Sequence, residues 1–476
     1  MICRRKFIVS YNKLDNQVNI IASIDTFSRK MRLDPSQYNV ETQRIIRNCG
    51  FHEIELIHLK DLGCIEGMYL PNRFSRAYTQ DKINGVPMLG TSSMLNMKLP
   101  TDDRIFINRI RNNDKLFIEP GDILISRSGT IGTSILCGST YTGFVASDHC
   151  IRLRIREELR GYIAAYLRSC YGLALLVKDA HGKVIKELTE ENVSDLPIMY
   201  FEDKVDEINE KMINAAFLYD KAREEYAEVE DIFNNEFHEY LPVKPEGNIN
   251  IMPFSGLLIN RIDPHMYNYY SNYVFHEILR KKHKLLGDVA EVWGAARFKR
   301  HYLDKHNPNG IGLYSSSDIV RANLSPSKFI SKKLNSKDIE KCKISADTVL
   351  IPCSGTYGGI MGHGMLAGKM MAGKAVTQHV LRVAKKTNDM NFHYIAAFLC
   401  SNNWGYHLIT ATRFGKDIPE IDPEVLKTIP IPDISDDKQS EIGRKFKLAS
   451  KYQEEANELE NQAITMLEKL YEEKLV

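Results

Sequence analysis

The chain has 476 residues, enough for two or three domains, and 43% are hydrophobic, so each domain can bury its own core. No apolar run approaches the ~18 uncharged residues of a membrane span, and the opening Met1-Ile2-Cys3-Arg4-Arg5-Lys6-Phe7 lacks the long apolar stretch of a secretory leader. Nine scattered cysteines without a Cys-x-x-Cys pair speak against structural zinc and fit a reducing cytoplasm. The net charge of +2 conceals a segregation. Lys/Arg stand against Asp/Glu as 27 to 22 over residues 1–201, 4 to 13 over 202–242, 25 to 16 over 243–435 and 7 to 10 over 436–476. Basic modules suit a polyanion, and acidic segments do not.

In chain order, the first half returns in the second. Arg32-Leu33-Asp34-Pro35-Ser36-Gln37-Tyr38-Asn39 recurs as Arg261-Ile262-Asp263-Pro264-His265-Met266-Tyr267-Asn268. Arg73-Phe74-Ser75-Arg76 and Tyr78 match Arg297-Phe298-Lys299-Arg300 and Tyr302. Leu124-Ile125 with Ser128-Gly129-Thr130 matches Leu350-Ile351 with Ser354-Gly355-Thr356, and His149 matches His379. Tyr162-Ile163-Ala164-Ala165 matches Tyr394-Ile395-Ala396-Ala397, and Gly182-Lys183 matches Gly415-Lys416. The offset drifts only between 224 and 234, which means two whole domains with small loop insertions.

Each module reads as short strands with Gly-rich turns plus one or two helices. Asp122–Ser126 and Thr348–Ile351 are apolar runs of buried-strand length. The Tyr-Ile-Ala-Ala segments open amphipathic helices whose alanines allow close packing on a sheet. The segment from Glu202 to about Tyr240 contains no Pro or Gly. Val205, Ile208, Met212, Ala215, Tyr219, Ala222, Tyr226, Val229 and Phe233 recur at spacings of three and four, a coiled-coil seam. At 1.5 Å rise per residue this rod is roughly 55 Å long. The tail repeats the register with Ile442, Phe446, Ala449, Ala456, Ala463, Leu467 and Leu470, interrupted by Gln453 and Glu460. Neither seam can stay exposed, so the two rods are expected to pair with each other, the alternative being that each packs on its own module.

This order of module, long helix, module, long helix resembles the specificity subunit of type I restriction–modification enzymes. The resemblance rests on Gly121-Asp122-Ile123-Leu124-Ile125-Ser126-Arg127-Ser128-Gly129-Thr130-Ile131-Gly132, on Ala146-Ser147-Asp148-His149, and on a Leu/Ile-Pro-Ile stretch before each helix. The second module departs from it, with Pro352-Cys353 opposite Ser126-Arg127 and Thr377-Gln378-His379 opposite Ser147-Asp148-His149. The first thirty residues look like an extension, and these departures leave room for a variant methylation-linked phage-defence system. The expected fold is α+β: target-recognition domains at 1–201 and 243–435, and spacer helices at 202–242 and 436–476 forming an antiparallel intramolecular coiled coil. The resemblance implies that each domain reads one half of a split DNA duplex target. The helices would set the gap and dock two adenine-methyltransferase subunits, with a motor-nuclease subunit able to join. S-adenosylmethionine, ATP and magnesium would sit on those partners, and this chain would bind no cofactor.

The candidate DNA contacts are Arg73, Arg76, Tyr78, Arg127, Ser128, Lys183, Arg297, Lys299, Arg300, Tyr302, Tyr357 and Lys416. Arginine grips phosphate or pairs with guanine, and aromatics interleave the basic stretches. A solvated loop with one anchoring aromatic is the bland alternative at these positions. The candidate helix-pairing residues are Val205, Ile208, Met212, Tyr219, Tyr226, Val229, Phe233, Ile442, Phe446, Leu467 and Leu470. His149 and His379 fit structural hydrogen bonds better than metal ligation. Gly368-Lys369-Met370-Met371-Ala372-Gly373-Lys374-Ala375 resembles a phosphate-binding loop, but Ala375 stands where the magnesium-holding hydroxyl belongs. No methyltransferase tetrapeptide or nuclease cluster is recognisable, so the chain reads as a non-catalytic binder. A self-contained nuclease or methyltransferase with an unrecognised centre, or a purely protein-binding scaffold, remain open. The duplicated positions differ (Arg127 against Cys353, Ser75 against Lys299, Ile131 against Tyr357), which predicts two different half-sites.

Overall fold

The computed structural model describes residues 6–13, 16–23, 40–52, 54–71, 77–79, 81, 83–100, 104–106, 114–178, 180, 186–237, 268–305, 307–415 and 417–475. The chain divides into two units, Met1–Asp220 with Glu458–Val476, and Lys221–Asn457. Among the described residues no helix is long and apolar enough to cross a membrane.

In the first unit, the apolar run Asp122–Ser126 forms a wholly buried central strand. It pairs antiparallel with Cys150–Ile155 and Ser134–Leu136, and Ile65–Tyr69 closes the sheet beside Cys150–Ile155. A second sheet has the order Val145–Ala146, Gly85–Leu89, Arg104–Phe106, Tyr78–Thr79, its first pair parallel and the others antiparallel. Leu56–His58 and Pro197–Met199 form a two-stranded ladder. The helix Glu157–Arg168 buries Ala164 and Ala165 as expected of its small face. Its Tyr162 hydroxyl donates to the Met199 carbonyl at 2.6 Å, which ties the helix to that ladder. Lys6–Lys13 and Asn16–Ser23, within the N-terminal extension, pair with each other as an antiparallel hairpin.

The second unit repeats the two four-stranded sheets and the small ladder strand for strand. Its sheets run Ala290–Trp293, Val380–Lys385, Thr348–Pro352, Met365–Ala367, and Ala375–Val376, Gly310–Tyr314, Lys328–Ser331, Tyr302–Leu303. Among the described residues its one parallel pair falls at the equivalent place. His283–Leu285 and Pro430–Pro432 form the small ladder, and the Tyr394 hydroxyl donates to the Pro432 carbonyl at 2.7 Å. A repeat that reproduces sheet order, strand direction and this tyrosine bond is a duplication of the domain itself. The second unit adds a short hairpin, Arg413–Phe414 with Glu420–Ile421.

The acidic segments form the helices Val205–Phe237 and Asp436–Lys474. Within the second unit Lys438 meets Glu236, Lys445 meets Glu228, and the Phe446 ring lies 5.4 Å from that of Tyr226. Numbers rise on one helix as they fall on the other, so the two run antiparallel there. Within the first unit Lys211 bonds Gln462 at 3.2 Å, and Ile208 and Met212 share a core with Ala463, Leu467 and Tyr471. The seam residues Val205, Ile208, Met212, Ala215, Tyr219, Ala222, Val229, Phe233, Ile442, Phe446, Ala449, Ala456, Ala463 and Leu467 are buried, and Tyr226 and Leu470 partly so. The buried positions reach Tyr471, one beyond Leu470, as expected when a 3.6-residue turn drifts from a 3.5-residue stripe. Gln453 and Glu460, the polar interruptions, are also buried but paired. Gln453 Nε2 donates to the carbonyls of Arg321 and Ala322 at 3.1 Å, and Glu460 pairs with Arg168.

Candidate nucleic-acid interface

Both modules build the same scaffold after the central strand. Ser128 Oγ lies 2.7 Å from His149 Nδ1, and Ser354 Oγ lies 2.5 Å from His379 Nδ1. The backbone N–H groups of Arg127 and Cys353 donate to the carbonyls of those histidines. The two histidines thus brace the turn, in keeping with a structural role. Gly129, Gly132, Gly355 and Gly358 take positive φ, which lets the turn reverse without a Cβ clash. The carbonyls of Arg127 and Cys353 then accept from Leu188 and Ile421, so Glu187 and Glu420 arrive at equivalent places.

On this common frame the side chains diverge. In the first module Arg127 forms an ion pair with Glu187, both largely buried, and the Ser128 hydroxyl is committed to His149. In the second module Cys353 replaces the arginine, and burial pushes its thiol up to about 12, with Glu420 adding to the effect. Tyr357, 43% exposed, lies against the Arg413 guanidinium at 4.1 Å from its ring centroid. Arg413 is buried and also donates to the Thr410 carbonyl at 2.7 Å. A ring held on one face by a cation and open to solvent on the other has the geometry that lets an aromatic side chain stack on a flat ligand.

The stretch from Arg297 to Tyr302 lies beside the same frame. Arg297 and Lys299 are exposed. Arg300 donates to Gln378, and its guanidinium lies 5.8 Å from the Phe298 ring. Tyr302 is 52% exposed with Lys328 5.9 Å from its ring. Burial lowers the His379 pKa; Glu420 opposes this, while Arg300 and Arg297 reinforce it. Arg297, Arg300, Gln378, His379 and Glu420 therefore share one neighbourhood. In the first module Tyr78, 58% exposed, holds the place of Tyr302 at the edge of its sheet. Arg73, Arg76, Lys183 and Lys416 lie outside the described residues.

Sequence reasoning missed Arg413, Lys328, Glu187 and Glu420. Arg413 has no basic counterpart, since Ala180 stands opposite it in the repeat, so duplication gave no signal. Two other arginines are structural. Arg382 is buried over Trp293 at 5.0 Å and donates to the carbonyls of Lys341, Lys343 and Gly294. Its equivalent Arg152 lies over Tyr69 at 5.9 Å and pairs with Asp122. Among the described residues no group of three or more His, Cys, Asp or Glu could hold a metal.

Comparison with known proteins matches residues 281–469 to the family model of the type I restriction modification DNA specificity domain. The chain is also similar to the S subunit of a type I restriction–modification system from M. genitalium, at 13% identity and a TM-score of 0.34, covering 88% of this chain and 95% of that one. It is similar to the HsdS subunit from Thermoanaerobacter tengcongensis at 12% identity and a TM-score of 0.27, covering 88% and 96%. No curated protein matches the sequence. The family match falls on the module whose turn departs most from the expected signature, so Pro352-Cys353 varies the pattern without leaving it. Through residues 281–469 this chain is similar to the type I restriction–modification DNA specificity domain.

Proposed function

We propose that this chain is the DNA-reading subunit of a type I-like restriction–modification complex. Two modules, 1–201 and 243–435, each read one half of an asymmetric, interrupted duplex target. The helices 202–242 and 436–476 act as an antiparallel coiled-coil spacer that fixes the gap. They dock two adenine-methyltransferase subunits and leave room for a motor-nuclease subunit. One observation carries the reading: a single domain plan occurs twice, and its side chains differ at the same turn, Arg127 with Glu187 in one copy and Cys353, Tyr357 and Arg413 in the other. The proposed DNA contacts are Tyr78, Arg127, Arg297, Lys299, Arg300, Tyr302 and Tyr357, with Arg73, Arg76, Lys183 and Lys416 beyond the described residues. Ser128 shapes the turn that presents them. Catalysis and its cofactors belong to the partners, and the complex works in the cytoplasm.

Methylation mapping in cells carrying the complete operon tests this. The expected motif has two different half-sites around a fixed gap; an uninterrupted palindrome would overturn the reading. Purified alone with magnesium or S-adenosylmethionine, the chain should neither cut nor methylate DNA. Turnover by the isolated chain would favour a self-contained enzyme.

A further inference from the structure

The loop Gly368–Ala375, which resembles a phosphate-binding loop, does hold an anion, and the anion is the chain's own. The Met370 N–H donates to Glu454 Oε1 at 2.8 Å, and a Cβ on Gly368 would collide with that carboxylate. The first module repeats the arrangement. Asp220, 4% exposed, accepts from the backbone N–H and the hydroxyl of Ser139, the latter at 2.9 Å, and from the Thr140 hydroxyl. A Cβ on Gly138 would collide with the Asp220 carboxylate. Gly138 and Gly368 are equivalent in the repeat, as are Asp220 and Glu454. Each carboxylate stands on the long helix that follows its module.

Each loop leaves a strand of one sheet, Ser134–Leu136 or Met365–Ala367, and enters a strand of the other, Val145–Ala146 or Ala375–Val376. The carboxylate therefore fastens the junction of both sheets to the helix. Charge-assisted bonds to backbone N–H groups are directional and about twice as strong as neutral ones. We infer that Asp220 and Glu454 are positioning residues that fix the rotational phase of each module on its helix, and so the gap length the complex accepts. The inference rests on the reading of two half-sites and a spacer. One base pair more or less turns a half-site by about 35° around the duplex, so a module held at a fixed phase rejects the wrong gap and a loosened one tolerates it.

The test uses the complete complex with its methyltransferase subunits. The substrates are duplexes carrying both half-sites at the native gap and at gaps one and two base pairs shorter or longer. Asp220→Asn, Glu454→Gln and their double variant keep side-chain shape and remove the charge; Gly138→Ala and Gly368→Ala displace the carboxylate instead. Methylation at the native gap should be nearly kept, while discrimination against altered gaps falls about tenfold in the double variant. A double variant that melts like the native chain and keeps full discrimination overturns the inference. So does an equal loss on every gap, which marks a merely structural contact. If the native complex shows no gap preference at all, the spacer reading itself fails, and that result is distinct from either.

Discussion

At the scale of single residues, the Ser-His brace makes stability depend on pH in one module. Burial holds the His379 pKa below its ordinary value, with Arg300 and Arg297 reinforcing the shift and Glu420 opposing it. A histidine with a lowered folded pKa is neutral in both states above its unfolded pKa of about 6.5. Below that the unfolded chain takes up a proton first, so stability is lost as pH falls toward the folded pKa. We expect the second unit to lose stability between roughly pH 7 and its lowered pKa, and His379→Asn to remove that part of the slope. Thermal melts of both proteins across this range check it; parallel curves would show that His379 does not titrate differently on folding. This brace was legible in the sequence because Ser-Gly-Thr and the later histidine recur together. The Tyr357–Arg413 pair was not, because its two members come from segments with no shared motif and only one copy contains it.

At the scale of elements, a heptad stripe predicts which helix face is buried, and its packing sets the cost of disrupting it. Phe233 is fully buried with ring centroids 5.9 Å from Phe237, 6.0 Å from Tyr394 and 5.8 Å from Phe398. Phe233→Ala should cost about 3–5 kcal/mol in denaturant unfolding of the second unit, the price of a cavity that three aromatic walls cannot close. Glu228→Ala, on the exposed flank facing Lys445, should leave the midpoint where it was. Equal effects would mean that the helix is held by surface charge and not by its seam. Gln453 and Glu460 show where a stripe misleads. They interrupt the apolar pattern and suggest a weak seam, yet both are buried and paired. Their partners, the carbonyls of Arg321 and Ala322 and the guanidinium of Arg168, come from distant sequence that no local period can reveal.

At the scale of the whole molecule, chain order alone would assign each long helix to the module it follows. The last nineteen residues belong instead to the first unit, with Met1–Asp220. Ala463, Leu467 and Tyr471 lie in the core that contains Tyr162, Tyr166 and Ile208. Glu468 accepts from the Cys170 N–H at 2.8 Å, Glu460 pairs with Arg168, and the rings of Tyr171 and Tyr471 lie 4.2 Å apart. Full burial of a side chain such as Leu467 contributes about 1.5–3 kcal/mol, and a whole domain is stable by only about 5–15 kcal/mol. Removing residues 458–476 should therefore destabilise the N-terminal module, although the cut lies at the other end of the chain. Hydrogen exchange should accelerate in Glu157–Arg168 and Cys170–Val177, while Phe392–Cys400 in the second unit stays protected. Loss of protection in Phe392–Cys400 with Glu157–Arg168 unchanged would mean that the tail supports the module it follows, and the division of the chain into these two units would be wrong.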